Sequence, residues 1–314
     1  MEDFILTQWK LKLGQGNIFI NDLSNTVICT MPGRFGLIKV VDLHRTTAKR
    51  KTDLKGVVKN SDFITTRPIN SNSFNFTKIK PSEFISISNG HAILVNVSPM
   101  AYGHILFCPY FQEAVFSQIL TEPTILAALQ FHSCFTRPDF RLCFNSLGGW
   151  ASVNHHHWHG LFLADPAFTV SATGKFPIET CPITNMLTVA DCSIALVQGH
   201  VNCLRLSRVA DDTKTANVVF KLVHALLTRD VPHNVMVSRD FVYLTPRQPQ
   251  KVGLFPYSEA DGGLHVAVAE VSGYMICLDN STYNLLAEND VFTLCQEHVS
   301  FNSEYLIDLV SNNI

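Results

Sequence analysis

The stretch NSLGGWASVNHHHWHGLFL, Asn145 to Leu163, sets four histidines, His155, His156, His157 and His159, within five residues, shortly after the glycine pair Gly148-Gly149. Its second part, SVNHHHWHGLFL, reads as a β-strand that follows the strand RLCFNSL across the glycine turn. Side chains along a strand alternate between faces, so His155, His157 and His159 share one face while His156 and Trp158 share the other. A single strand histidine is ordinarily a satisfied core or surface residue. Three in register ask for a chemical role.

Metal binding is one such role, since neutral imidazole is the commonest metal ligand. A strand rises about 3.3 Å per residue, so the outer Cα atoms stand roughly 13 Å apart, while zinc needs each nitrogen within about 2.1 Å. Two of the three could converge on a metal, and no HExxH or acid-rich ligand set stands beside them. Covalent nucleotidyl transfer fits the spacing better. An imidazole of ordinary pKa is unprotonated and nucleophilic near neutral pH and leaves phosphorus readily. His157, with an imidazole on either side, is the natural nucleophile. A backbone carbonyl or His155 could hold its second nitrogen as N–H, and His159 could stabilise charge on the phosphoryl oxygens or the leaving group. Periodicity does not assign these supporting roles. Upstream, Gly148 and Gly149 allow backbone N–H groups to approach a phosphate, Ser152 offers a hydroxyl and Asn145 an amide.

The rest of the chain narrows the setting. Its 314 residues, 46% hydrophobic, suit one large domain or two fused units. A net charge of -2 supplies no global attraction to nucleic acid or anionic membrane. The basic cluster at 45–55 reads as a solvated loop. No run of 18 apolar residues occurs, and acidic residues near the start oppose a signal peptide, which points to a soluble cytoplasmic protein. Nine scattered cysteines without CxxC spacing suit reduced thiols, and the sequons at Asn75, Asn96 and Asn280 are then silent.

The first 81 residues read as short strands and polar loops. HAILVNVSP and GHILFCP form a hairpin, Phe111 to Cys134 a helical region restarted at Pro123, and Asp211 or Asp212 the cap of a helix. HNVMVSRDFVYLTPR makes another hairpin, LHVAVAEVSGYMICL a strand, and the chain from about Thr282 is helical. The order hairpin, helix, strand near 91–163 returns weakly near 233–297. The expected class is α+β in two related halves, 1–210 with the histidine strand and 211–314, packed as one globular unit.

These motifs resemble the histidine triad (HIT) superfamily, in which the middle of three alternating histidines on a strand is the nucleotidylated nucleophile. Within it the chain is similar to the GDP-L-galactose/GDP-D-glucose phosphorylase family. The resemblance runs in order through PGRFGLIKV, FNFTKI, VNVSPMAYGHILFCP, the histidine stretch, PHNVMVSRD and VAVAEVSGY. It implies a HIT-like fold of the hexose 1-phosphate uridylyltransferase type and phosphorolysis of GDP-D-glucose through a guanylylated His157. The implied partners are a GDP-hexose and inorganic phosphate, with no cofactor or metal and with a homodimer left open. Lys78 and His104, in matching segments, become candidates to neutralise phosphates. Plant relatives carry Gln in place of His159, so the complete triad favours GDP-glucose. Departures are His156 and Trp158 for smaller aliphatic residues, Leu161-Phe162 for a Tyr pair, and Tyr274 for a His. Alternatives are a dinucleoside polyphosphate or UDP-hexose enzyme of the superfamily, a nucleotide-binding protein without catalysis, and a metal-dependent cupin-like enzyme.

Overall fold

The computed structural model describes residues 1–21, 23–42, 64–113, 115–249 and 264–314; the basic cluster at 45–55 lies outside them. Val, Ile and Leu dominate the strand sequences because a pleated backbone covered on both faces suits branched apolar side chains. In chain order the strands are β1 (Val27–Thr30), β2 (Ile38–Val41), β3 (Phe84–Ser88), β4 (His91–Val95), β5 (Ile105–Cys108), β6 (Phe140–Asn145), β7 (Trp158–Phe162), β8 (Ala164–Asp165) and β9 (Phe168–Thr169). They continue with β10 (Ile183–Val189), β11 (Cys192–Gln198), β12 (Asn202–Ser207), β13 (His233–Val237), β14 (Phe241–Pro246) and β15 (Tyr274–Cys277). The helices are α1 (Glu2–Gly14), α2 (Glu122–Ser133), α3 (Asp212–Thr228), α4 (Val268–Val271), α5 (Asn280–Leu285), α6 (Glu288–His298) and α7 (Ser303–Ser311).

Ten strands form one antiparallel sheet in the order β10-β11-β12-β14-β13-β6-β7-β5-β4-β3. The order contains a repeat. The run β3-β4-β5-α2-β6-β7 has the same connectivity as β10-β11-β12-α3-β13-β14, and the two runs meet where β6 pairs with β13. This α+β repeat begins earlier in each half than the expected 91–163 and 233–297, and we place the division between β9 and β10, upstream of residue 210. The halves differ in the lengths of several connections. Residues 146–157, carrying three of the histidines, join β6 to β7, whereas residues 238–240 alone join β13 to β14.

Helices α2 and α3 pack on each other across one sheet face. Ile125, Ala128 and Leu129 of α2 meet Val218, Val219, Leu222 and Leu226 of α3 in a core that includes Phe107, Phe144 and Trp158. The other face of the second half is covered by the sheet β1-β2-β15 with α4 and α6, through Val40, Met275, Val268 and Cys295. Arg141 of β6 and Glu179, just before β10, form a buried ion pair at 2.8 Å. The remaining guanidinium donors reach the carbonyls of Pro138, Phe140 and Gly174.

Three stretches fold differently from their sequence reading. Residues 2–14 are helical rather than strand and loop: Ile5 and Trp9, one turn apart, are fully buried, while Glu2, Asp3 and Lys12 sit at the ends where the helix dipole favours them. Residues 111–113 and 115–121 are not helical, and the Phe116 and Ile119 carbonyls face His156 instead; Thr121 and Pro123 start α2. The stretch LHVAVAEVSGYMICL is a strand only from Tyr274. Glu270 turns back to accept the Ala267 N–H at 2.8 Å, which starts the short helix α4.

Replacing Glu179 by Ala leaves the Arg141 guanidinium buried without its counter-charge, and the expected loss is about 3–5 kcal/mol. A urea midpoint close to that of the parent protein would contradict this account.

Candidate active site

The chain leaving β6 at Asn145 turns through the glycine pair and runs back to β7 as a loop; regular pairing begins only at Trp158, so His155 and His157 precede the strand and His159 alone lies in it. The expected alternation of faces nevertheless persists. His157 and His159 face each other with ring centroids 5.1 Å apart, and Phe76 touches both His155 (5.5 Å) and His157 (5.0 Å). His156 and Trp158 point the opposite way, against Phe144.

The loop lacks a neighbouring strand over 155–157, and residues 116–119 replace one. The His156 N–H donates to the Phe116 carbonyl at 2.9 Å, and His156 Nδ1 lies 2.9 Å from the Ile119 carbonyl. Trp158 Nε1 donates to His156 Nε2, so both ring nitrogens of His156 serve the fold. Between these contacts sits Gln118, fully buried. Its Nε2 donates to the carbonyls of Asn145 (2.9 Å) and His157 (3.1 Å), and its Oε1 lies 2.9 Å from the His157 N–H and 3.0 Å from His157 Nδ1. The His155 carbonyl is 2.7 Å from the same Nδ1. Facing two acceptors, Nδ1 carries the proton, which leaves the lone pair on Nε2.

The flanking rings are oriented by the same rule. The Phe76 N–H donates to His155 Nδ1 at 3.0 Å, so His155 Nε2 is an N–H. The Met100 N–H donates to His104 Nδ1 at 3.2 Å, and His104 Nε2 lies 3.0 Å from His159 Nδ1. The Met100 N–H and the Asn96 amide bring donors to both ring nitrogens of His104, and His159 Nδ1 shares the contact at Nε2. Asn96 Nδ2 stands 3.1 Å from the His104 Nε2. Tyr274 Oη donates to the Met100 carbonyl at 3.0 Å. One lone pair on His157 thus stands between the N–H of His155 and the ring of His159.

Burial governs the charge of these rings. Desolvation is the largest influence on His157 and pushes its pKa down to about 4, partly opposed by the His155 carbonyl. Desolvation, helped by His157, takes His155 to about 4 and His156 to about 3.

The residues expected to cradle phosphate also have partners within the fold. The Asn145 Oδ1 accepts from Asn234 Nδ2 (2.7 Å) and the Val268 N–H (2.8 Å), so this side chain joins β6, β13 and α4. Gly148 has φ +76°, and a methyl group there would fall 2.8 Å from Pro232 Cγ. At Gly149 it would fall 2.9 Å from the His233 carbonyl; the Gly149 N–H already donates to Ser146 and its carbonyl accepts from Asn234. Both glycines are required by close approach to the 232–234 segment. Ser152 is exposed at the rim, and Lys78 donates to the carbonyls of Ser71, Asn72 and Ser73, closing that turn. His104 is brought into the cluster, behind His159. Sequence reasoning missed Gln118, which lies 39 residues from its partner His157 and carries no local motif.

Two family models match the chain, one described as GDPGP1-like, N-terminal domain, over residues 1–161 and the other as GDPGP1-like, C-terminal domain, over residues 177–308. The chain belongs to the GDPGP1-like family. Its N-terminal family domain holds all the site histidines, and its C-terminal one begins ahead of β10. Among relatives, GDP-D-glucose phosphorylase 1 of Xenopus laevis is 24% identical over 97% of this chain and 86% of its own length. GDP-L-galactose phosphorylase 2 of Arabidopsis thaliana is 25% identical over 97% and 73%. The crystal structure of yeast Ap4A phosphorylase Apa2 in complex with Ap4A, 12% identical, matches the fold with a TM-score of 0.62 over 94% of this chain and 96% of that one.

Six buried histidines, His132, His155, His156, His157, His200 and His233, have depressed pKa values and are neutral in the native protein near pH 7. The unfolded chain binds their protons below about pH 6.5, so their stabilisation is complete above that pH and is lost as pH falls toward about 4. Urea midpoints at pH 7.5, 6 and 5 should decline steeply; a flat series would contradict neutral burial.

Proposed function

We propose that this chain catalyses phosphorolysis of GDP-D-glucose to GDP and D-glucose 1-phosphate, with His157 as the nucleophile. The observation that carries the reading is the forced tautomer of His157, whose Nδ1 faces the Gln118 Oε1 and the His155 carbonyl and whose Nε2 holds the lone pair. In the first step Nε2 attacks the α-phosphorus; a P–N bond forms, the bond from phosphorus to the β-phosphate oxygen breaks, and glucose 1-phosphate leaves. An oxygen of inorganic phosphate then attacks the same phosphorus, the P–N bond breaks, and GDP departs with the histidine neutral again. The His155 N–H and the His159 imidazole flank His157, where they would stabilise charge on the phosphoryl and leaving oxygens. No step calls for a metal. All nine cysteines are free thiols, which supports a reducing, cytoplasmic setting. The similarity to the Arabidopsis relative supports GDP-L-galactose as a second substrate to test.

His157→Ala should fold and lose at least a hundredfold in turnover; retention of more than about a hundredth of the activity excludes it as the nucleophile. Incubated with GDP-D-glucose without phosphate, the parent protein should release some glucose 1-phosphate and keep GMP on His157, and added phosphate should discharge it as GDP. Two in-line displacements retain configuration at phosphorus, so inversion of a chiral α-phosphorothioate would point to one direct displacement. Activity should persist after exhaustive chelation, and loss restored by zinc would overturn the metal-free scheme.

A further inference from the structure

We propose that Gln118 is a positioning residue for His157, fixing the reactive tautomer and stabilising the positive charge that develops on the ring as the nucleotide is attached. The inference rests on the reading of His157 as nucleophile. The orientation of the carboxamide is set by its surroundings: Nε2 lies between the carbonyls of Asn145 and His157, which only accept, while Oε1 meets the His157 N–H, which only donates. A flipped amide would oppose like groups at all three contacts. Oε1 is therefore an obligatory acceptor 3.0 Å from His157 Nδ1.

That contact gains strength during the reaction. A neutral imidazole donates weakly from Nδ1, but attack by Nε2 on phosphorus makes the ring cationic, and hydrogen bonds from a charged donor are roughly twice as strong. Burial penalises the cation, so acceptors already in place matter more here than in water. The His155 carbonyl is one acceptor and cannot be altered by side-chain replacement; Gln118 is the other. Because its two donors also hold the carbonyls at either end of the loop, it sets where the ring stands as well as which nitrogen is bare.

Gln118→Met keeps the approximate volume and removes the acceptor and both donors, whereas Gln118→Glu keeps an acceptor oxygen. Single-turnover transfer of GMP from GDP-D-glucose is expected to slow about ten- to a hundredfold in Gln118→Met, the range for a hydrogen bond to a charged group, with substrate KM changed less than about threefold. Gln118→Glu is expected to recover much of the rate. Nitrogen-15 spectra of histidine-labelled protein read the tautomer without substrate: His157 should be protonated on Nδ1 in the parent and in Gln118→Glu, and mixed in Gln118→Met. If Gln118→Met does not fold, loss of the Nδ1–H form in Gln118→Glu overturns the proposal. So does a folded Gln118→Met with parental rate and tautomer. Failure of the parent protein to become labelled with GMP sinks the covalent reading instead, while the tautomer measurement stands on its own.

Discussion

Packing imidazoles side by side inside a protein is tolerable only if the rings are neutral and their nitrogens find partners of the right kind. That constraint organises the molecule around residues 155–159. His155 is met by the Phe76 amide, His156 by the Ile119 carbonyl and Trp158, His157 by Gln118 and the His155 carbonyl, and His159 by His104. The partners come from segments far apart in sequence, which the sheet must hold in register before any ring has a defined tautomer. Chemistry on phosphorus and exclusion of solvent are served by the same contacts.

The two halves of the sheet have divided their labour. In the first, residues 146–157 extend the connection between β6 and β7 and carry His155, His156 and His157. In the second, the equivalent connection is the short turn at 238–240, and the adjoining face is occupied by β1-β2-β15 with α4. Asn145 joins them, because its Oδ1 receives donors from both β13 and the start of α4. Its Oδ1 holds the halves together, while binding a phosphate would call on its Nδ2.

Local patterns made much of this legible. The hairpin 91–108, Pro123 and Asp211 as helix starters, and the opposed faces of His156 and His157 follow from alternation and capping, which depend only on near neighbours. Failures fall where distant groups override local preference. Residues 111–121 have the composition of a helix, but their carbonyls are claimed by His156 and their Gln118 by His157. The glycine pair is also pressed against the 232–234 segment, which no spacing within the loop could reveal. The α1 helix was missed because its charged residues look like interruptions until they are seen at the two ends.

The line of contacts from Tyr274 through Met100 and His104 to His159 crosses from the covering layer into the reactive cluster. Each link is a single hydrogen bond, the last reaching the half-buried His159, so β15 and that ring form a mechanical train. A displacement of β15 would reach His159 as a rotation of its ring and a change in where its proton points. The layer that closes the second half is in this sense a handle on the histidine cluster of the first.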